Sequence, residues 1–122
     1  MAIKIQEKKP EIPVEIGKLN FAFTVTDESV AAFRKNAIAA QKEFDKMKES
    51  ENDEKSLERA KYVLQRSFDM ILGQGAFKKI YDMTPSVAYL LDYFIQLVEG
   101  LSEELKDLGI DQEQTKKYIR KK

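Results

Sequence analysis

The sequence predicts a mainly α-helical fold, a helical bundle of about four to five helices preceded by an N-terminal β-hairpin. Three observations carry that expectation. Period-two apolar alternation is confined to residues 12–25, apolar stripes at steps of three and four fill most of the chain beyond them, and glycine, proline or dense charge interrupts the pattern between stripes. A chain of 122 residues fits one domain, and at this size it should bury roughly two-thirds of its unfolded surface. We expect an N-terminal arm over residues 1–10 and a single domain over 11–122, with the hairpin at about 12–25 and the helical body at about 27–120.

The arm alternates weakly through Ile3 and Ile5 before Lys8, Lys9 and Pro10, which reads as a loose arm or an edge strand. Ile12, Val14 and Ile16 then alternate with polar or small residues, as do Leu19, Phe21, Phe23 and Val25. Gly17-Lys18 separates the two runs, and glycine at the first loop position suits a type II′ turn. A two-residue loop pairs Ile16 with Leu19, Val14 with Phe21 and Ile12 with Phe23, so all six share one face. Pro13 belongs on an unpaired edge. Because a two-stranded ribbon is marginal alone, its apolar face must cover its own helices, or its edge must pair with another subunit.

Thr26 or Asp27 can cap a first helix running to about Lys48, with Val30, Phe33, Ala37, Ala40, Phe44 and Met47 as its stripe. Residues 49–55 are charged throughout apart from Ser50 and Asn52 and read as an exposed turn. A second helix from about Ser56 aligns Leu57, Ala60, Leu64, Ser67 and Ile71, with Val63, Phe68 and Met70 widening the face. Gly73-Gln74-Gly75 stops it. A short helix carrying Phe77, Ile80 and Tyr81 ends near Met83, and Thr84-Pro85 offers a cap and a first helical position for the next. That helix, to about Asp107, carries Val87, Leu91, Phe94, Val98, Leu101 and Leu105, with Leu90, Tyr93, Ile95 and Leu97 extending the apolar arc to about half the circumference. Such width implies burial from two sides, either as the central helix of its own domain or partly against another copy. Gly109 ends it, and Asp111 with Gln114 can open a last short helix through a capping box.

The composition excludes several chemistries. With no cysteine and no histidine, disulfides, Ser-His or Cys-His nucleophilic machinery and zinc held by His or Cys cannot be built in this chain. Asp82 and Asp92 lie nearest apolar neighbours, yet each falls on the polar side of its helix and reads as solvated. The glycine pair at 73 and 75 lacks the third glycine of a dinucleotide fingerprint and the Gly-Lys-Ser/Thr ending of a phosphate loop. The acidic run at residues 51–58 lacks the central glycine and ligand spacing of a calcium loop. We therefore expect no catalytic, cofactor or metal site.

Lysines interrupt the N-terminal residues too early for a signal peptide, and Asp92, Gln96 and Glu99 break the most apolar helix. A cytoplasmic protein with no membrane partner is the expectation. Basic and acidic side chains balance at 21 each, which gives no broad positive field for nucleic acid. The charges are sorted, however, with Lys116, Lys117, Arg120, Lys121 and Lys122 at one end. That end reads first as a solvated helix terminus and second as a nucleic-acid contact, which makes a small regulatory or accessory protein the alternative reading.

The segment IPVEIGKLNFAF, the TDES cap after it, and the later ILGQGAFKKIYDMTPSVAYLLDYFIQLVEG together resemble the small tail assembly chaperones of long-tailed bacteriophages that infect Gram-positive bacteria. The resemblance spans roughly residues 11–108 and includes no catalytic motif. It implies a non-enzymatic protein that oligomerises and binds the tape-measure protein, a long helical client, while the tail is assembled. It supplies no site residues. From the residues themselves, the protein-binding surfaces expected are the hairpin, through Ile12, Val14, Phe21 and Phe23, and the wide apolar helix, through Leu90, Tyr93 and Leu97.

Overall fold

The computed structural model describes residues 1–7, 11–49 and 54–109. In order, the elements are β1 (Glu11–Ile16), β2 (Leu19–Thr24), α1 (Asp27–Glu49), α2 (Glu54–Leu72), α3 (Ala76–Met83) and α4 (Val87–Asp107). The fold is therefore mainly helical, with four helices among the described residues behind an N-terminal antiparallel hairpin. The expected last helix from Asp111, its Gln114 cap, the basic C-terminal residues and most of the charged turn lie outside the described residues. Residues 1–7 form no strand and are exposed, so the edge-strand reading of Ile3 and Ile5 gives way to that of an arm.

The hairpin has the register that its alternation dictates, pairing Ile12 with Phe23, Val14 with Phe21 and Ile16 with Leu19. Gly17 has φ 58° and no non-glycine among the described residues, Lys18 included, has positive φ, as a type II′ turn requires and a type I′ turn does not permit. A two-residue loop makes Ile16–Leu19 a hydrogen-bonded pair. Counting outward, Pro13–Ala22 is then a non-hydrogen-bonded pair. The N–H that Pro13 lacks would have faced outward, so the ladder loses nothing. The apolar face of the hairpin closes over its own helices, β1 against α4 and β2 against α2 and α3. Phe23 is 2% exposed and meets the Phe33 ring edge-on at 5.8 Å.

α1 starts through a reciprocal cap. The Ser29 backbone N–H donates to Thr26 Oγ1 at 3.0 Å, while the Thr26 N–H donates to Ser29 Oγ at 2.9 Å. This is the capping-box arrangement with serine at the third helical position. α2 is the central element and packs against α1, α3, α4 and β2. Its Leu64 and Phe68 are fully enclosed and Ser67 is 1% exposed, whereas Leu57 and Met70, expected on its buried face, stand in solvent. Each large side chain withdrawn from water contributes about 1.5–3 kcal/mol, so Leu64, Phe68, Ile80, Leu90 and Leu105, all at 0% exposure, form the energetic centre.

The Gly73-Gln74-Gly75 stop works through two left-handed glycines, φ 107° and 93°. Asp69, near the end of α2, reaches across it and its Oδ1 accepts from the Phe77 N–H at 2.9 Å, capping α3 from a distance. The start of α4 differs from expectation. Thr84 closes α3 instead, its N–H donating to the Ile80 carbonyl, and Ser86 is the N-cap of α4. Pro85 favours extended backbone in the residue before it, and Thr84 complies at φ −133° and ψ 85°. Pro85 thus precedes the cap rather than occupying the first helical turn. The line of full burial along α4 is Leu90, Phe94, Leu97, Leu101 and Leu105, which keeps Phe94, Leu101 and Leu105 of the expected stripe and adds Leu90 and Leu97 from its widened arc; Val87, Leu91 and Val98 are only half-buried and Ile95 is exposed.

Candidate functional site

α1 and α4 both lean on α2, and the described residues leave the wedge between them unfilled. It forms an apolar groove of about 590 Å³. α1 contributes Ala37, Gln41, Phe44 and Met47 to one wall. Val87, Leu91, Ile95 and Val98 of α4 form the other, and Leu57 and Ala60 of α2 lie between. At the floor, Phe44 and Phe94 meet edge-on at 6.1 Å, and Phe94 meets Phe68 of the core at 5.6 Å. The rim is apolar too, with Leu57 and Ile95 about half exposed at 55% and 51%. From Val87 to Glu99 the wall runs about 18 Å at 1.5 Å per residue, room for about three turns of a docked helix.

Polar groups at this groove are few. Gln41 donates to Asp45 at 3.1 Å along α1, and Glu99 closes one end of the lining. No group of three or more carboxylate, histidine or cysteine side chains is assembled for a metal among the described residues. Asp82 and Asp92 are exposed, and Asp92 accepts from Gln96 at 2.7 Å. Arg59 and Glu43 form an ion pair at 3.3 Å. No described helix is long and apolar enough to cross a membrane.

A second cleft, about 430 Å³, lies between β1 and α4 and is lined by Ile12, Val14, Tyr93 and Leu97 together with Gly100 and Leu101. It brings together four of the seven residues that the sequence singled out for protein contact. Burial limits what they offer. Ile12, Phe23, Leu90 and Leu97 are between 0% and 7% exposed and pack into the interior of this chain. Val14 and Phe21 are half-buried, and half-buried Tyr93 shares a hydrogen bond with Thr84 Oγ1 at 3.2 Å. Of the groove residues, Ile95 belonged to the over-wide apolar arc that the sequence marks on α4, whereas Leu57, Val87 and Val98 were visible only as ordinary stripe positions. Periodicity marks which side chains point inward, and it is the splay of α1 from α4 over α2 that leaves part of that face uncovered.

No curated protein and no solved structure matches the chain. A family of unknown function, DUF6673, matches residues 17–122, all of the helical body and the second strand of the hairpin. The chain belongs to that family.

Proposed function

We propose that this protein is a non-enzymatic helix-binding chaperone, which holds an amphipathic segment of a client in the groove between α1, α2 and α4. The observation that carries the reading is the groove itself: about 590 Å³, lined mostly by apolar side chains, with Leu57 and Ile95 presented to solvent. Large apolar side chains exposed around a concave apolar surface mark binding sites. A straight wall formed by one helix suits the helix-in-groove mode of recognition. The resemblance of residues 11–108 to tail assembly chaperones names the client class: the long, helical tape-measure protein, bound in the bacterial cytoplasm by an oligomer during tail assembly.

The test uses fluorescently labelled helical peptides tiled along a tape-measure protein, titrated with the full chain and read by anisotropy. Leu57→Asp and Ile95→Asp should each weaken binding at least about tenfold, since each removes apolar contact of more than about 1.4 kcal/mol. Both positions are exposed, so the melting curve should hardly move. Peptides that bind these variants as they bind the parent, or that bind neither, would overturn the proposal.

A further inference from the structure

We propose that the N-terminal arm of one copy adds as an antiparallel third strand to the outer edge of β2 in a second copy. Met1, Ile3 and Ile5 alternate with Ala2, Lys4 and Gln6, the pattern of a strand with one buried face. Yet Ile3 is 91% exposed and Ile5 89%. Among the described residues the hairpin has two open edges, and they differ. On β1 the outward backbone groups belong to Glu11, Pro13 and Glu15, with the central N–H missing at proline; on β2 they belong to Asn20, Ala22 and Thr24, with none missing. Of these, the Thr24 carbonyl accepts the Ser29 hydroxyl, while those of Asn20 and Ala22 stay open.

An occupant of that edge finds a place for its side chains. A cleft of about 280 Å³ opens beside it, lined by Phe23, Phe33, Met70 and Ile71 among others, and Met70 is half exposed. Pairing Ile3 with Phe23 and Ile5 with Phe21 sets both isoleucines on the core side of the sheet; a slip of one residue would turn them to solvent. The chain's own arm is poorly placed for this edge. It joins β1 at Glu11, which pairs with Thr24, so it would have to cross two strand spacings, about 10 Å, over the point where the chain leaves β2 for Val25 and α1. In that register Glu7 lies opposite Leu19, five residues along β2 from Thr24, so the gap back to the same copy's Glu11 is about 20 Å. The four Cα–Cα steps from Glu7 to Glu11 span at most about 14 Å. A second copy meets no such limit.

Light scattering over a concentration series tests this with the full chain. The parent should self-associate. Ile3→Asp combined with Ile5→Asp, confined to an exposed arm, should weaken association at least about tenfold. So should Ala22→Pro, which removes an outward N–H that the hairpin itself does not use. Leu57→Asp and Ile95→Asp should leave association unchanged, which separates this inference from the groove reading. The chain has no cysteine, so a Lys4→Cys chain mixed with a differently tagged Ala22→Cys chain should give a disulfide between the two. A monomeric parent, as expected if the arm folds onto its own β1, would overturn the proposal. So would parent-like association in the folded arm variant or in folded Ala22→Pro. If Ala22→Pro does not fold, the arm variant decides.

Discussion

Phe94→Ala probes the joint between core and groove. The side chain is 4% exposed and meets Phe68 and Phe44 edge-on, at 5.6 and 6.1 Å. Truncating a buried phenylalanine costs about 3–5 kcal/mol, of which each ring pair supplies about 0.5–1.5. Phe94 also borders the groove, so the space it vacates opens toward solvent rather than sealing as an internal void. That places the expected loss near the lower end, about 3 kcal/mol. A domain with total stability of about 5–15 kcal/mol stays folded after such a loss. Urea unfolding followed by circular dichroism at 222 nm reads the change. With a slope of about 2 kcal/mol per molar, the midpoint should fall by about 1.5 M. Phe44→Ala, half-buried and with one ring partner, should cost about 1–2 kcal/mol. The double mutant should reveal a coupling of about 0.5–1.5 kcal/mol. A loss below about 1 kcal/mol for Phe94→Ala, or additive behaviour of the pair, would refute the seating of α4 and α1 around that contact.

Gly17→Ala should destabilise the fold by about 1–2 kcal/mol, because alanine is strained at φ 58° and its Cβ would lie 2.9 Å from Met83 Sδ; pairing it with Met83→Ala should relieve only the contact, as a double-mutant denaturation series would show. Ser29→Ala removes a side chain that accepts from the Thr26 N–H and donates to the Thr24 carbonyl, and should cost about 1 kcal/mol, measured by thermal melting. Asp69→Ala should cost a similar amount, about 1 kcal/mol, by leaving the Phe77 N–H without its acceptor, and the first amides of α3 should lose hydrogen-exchange protection ahead of α2.

Where a local rule has one solution, the sequence was enough. With a two-residue loop at Gly17-Lys18, the alternation of Ile12, Val14 and Ile16 against Leu19, Phe21 and Phe23 sets one register with all six on one face, and that is the register found. The start of α1 and the end of α2 followed from a cap and a glycine stop in the same way, while the charged run between them marked the turn only roughly, since Glu49, Glu54 and Lys55 are helical. Two rules competed at Thr84-Pro85. Threonine can cap and proline can open a helix, but proline also restricts its predecessor, and the closing of α3 had first claim on Thr84. Ser86 then became the cap. Leu57 and Met70 show a different limit. Both lie on or beside the apolar face of α2, and both are exposed because the stripe runs past what packs on it. At Leu57 that surplus lines the groove, and at Met70 it lines the cleft beside β2. How far α1 and α4 diverge is a tertiary property that no single stripe encodes. The remote cap from Asp69 to Phe77 was invisible for a related reason, since its reach depends on the geometry of the glycine turn between them.

The contact of β1 with α4 joins the first regular element to the last described one. Most other packing is local in sequence: α1 with α2, α2 with α3, β1 with β2. Local contacts form early and cheaply, whereas this one closes a loop of about 70 residues or more, the slow kind of event in a folding reaction. On the ribosome, the underside of the hairpin can find no cover from α4 until nearly all of the domain has emerged. Ile12 and the buried line from Leu90 to Leu105 are therefore the last apolar surfaces to be sheltered during synthesis. The time for which they stay uncovered sets how exposed a newborn chain is to its neighbours.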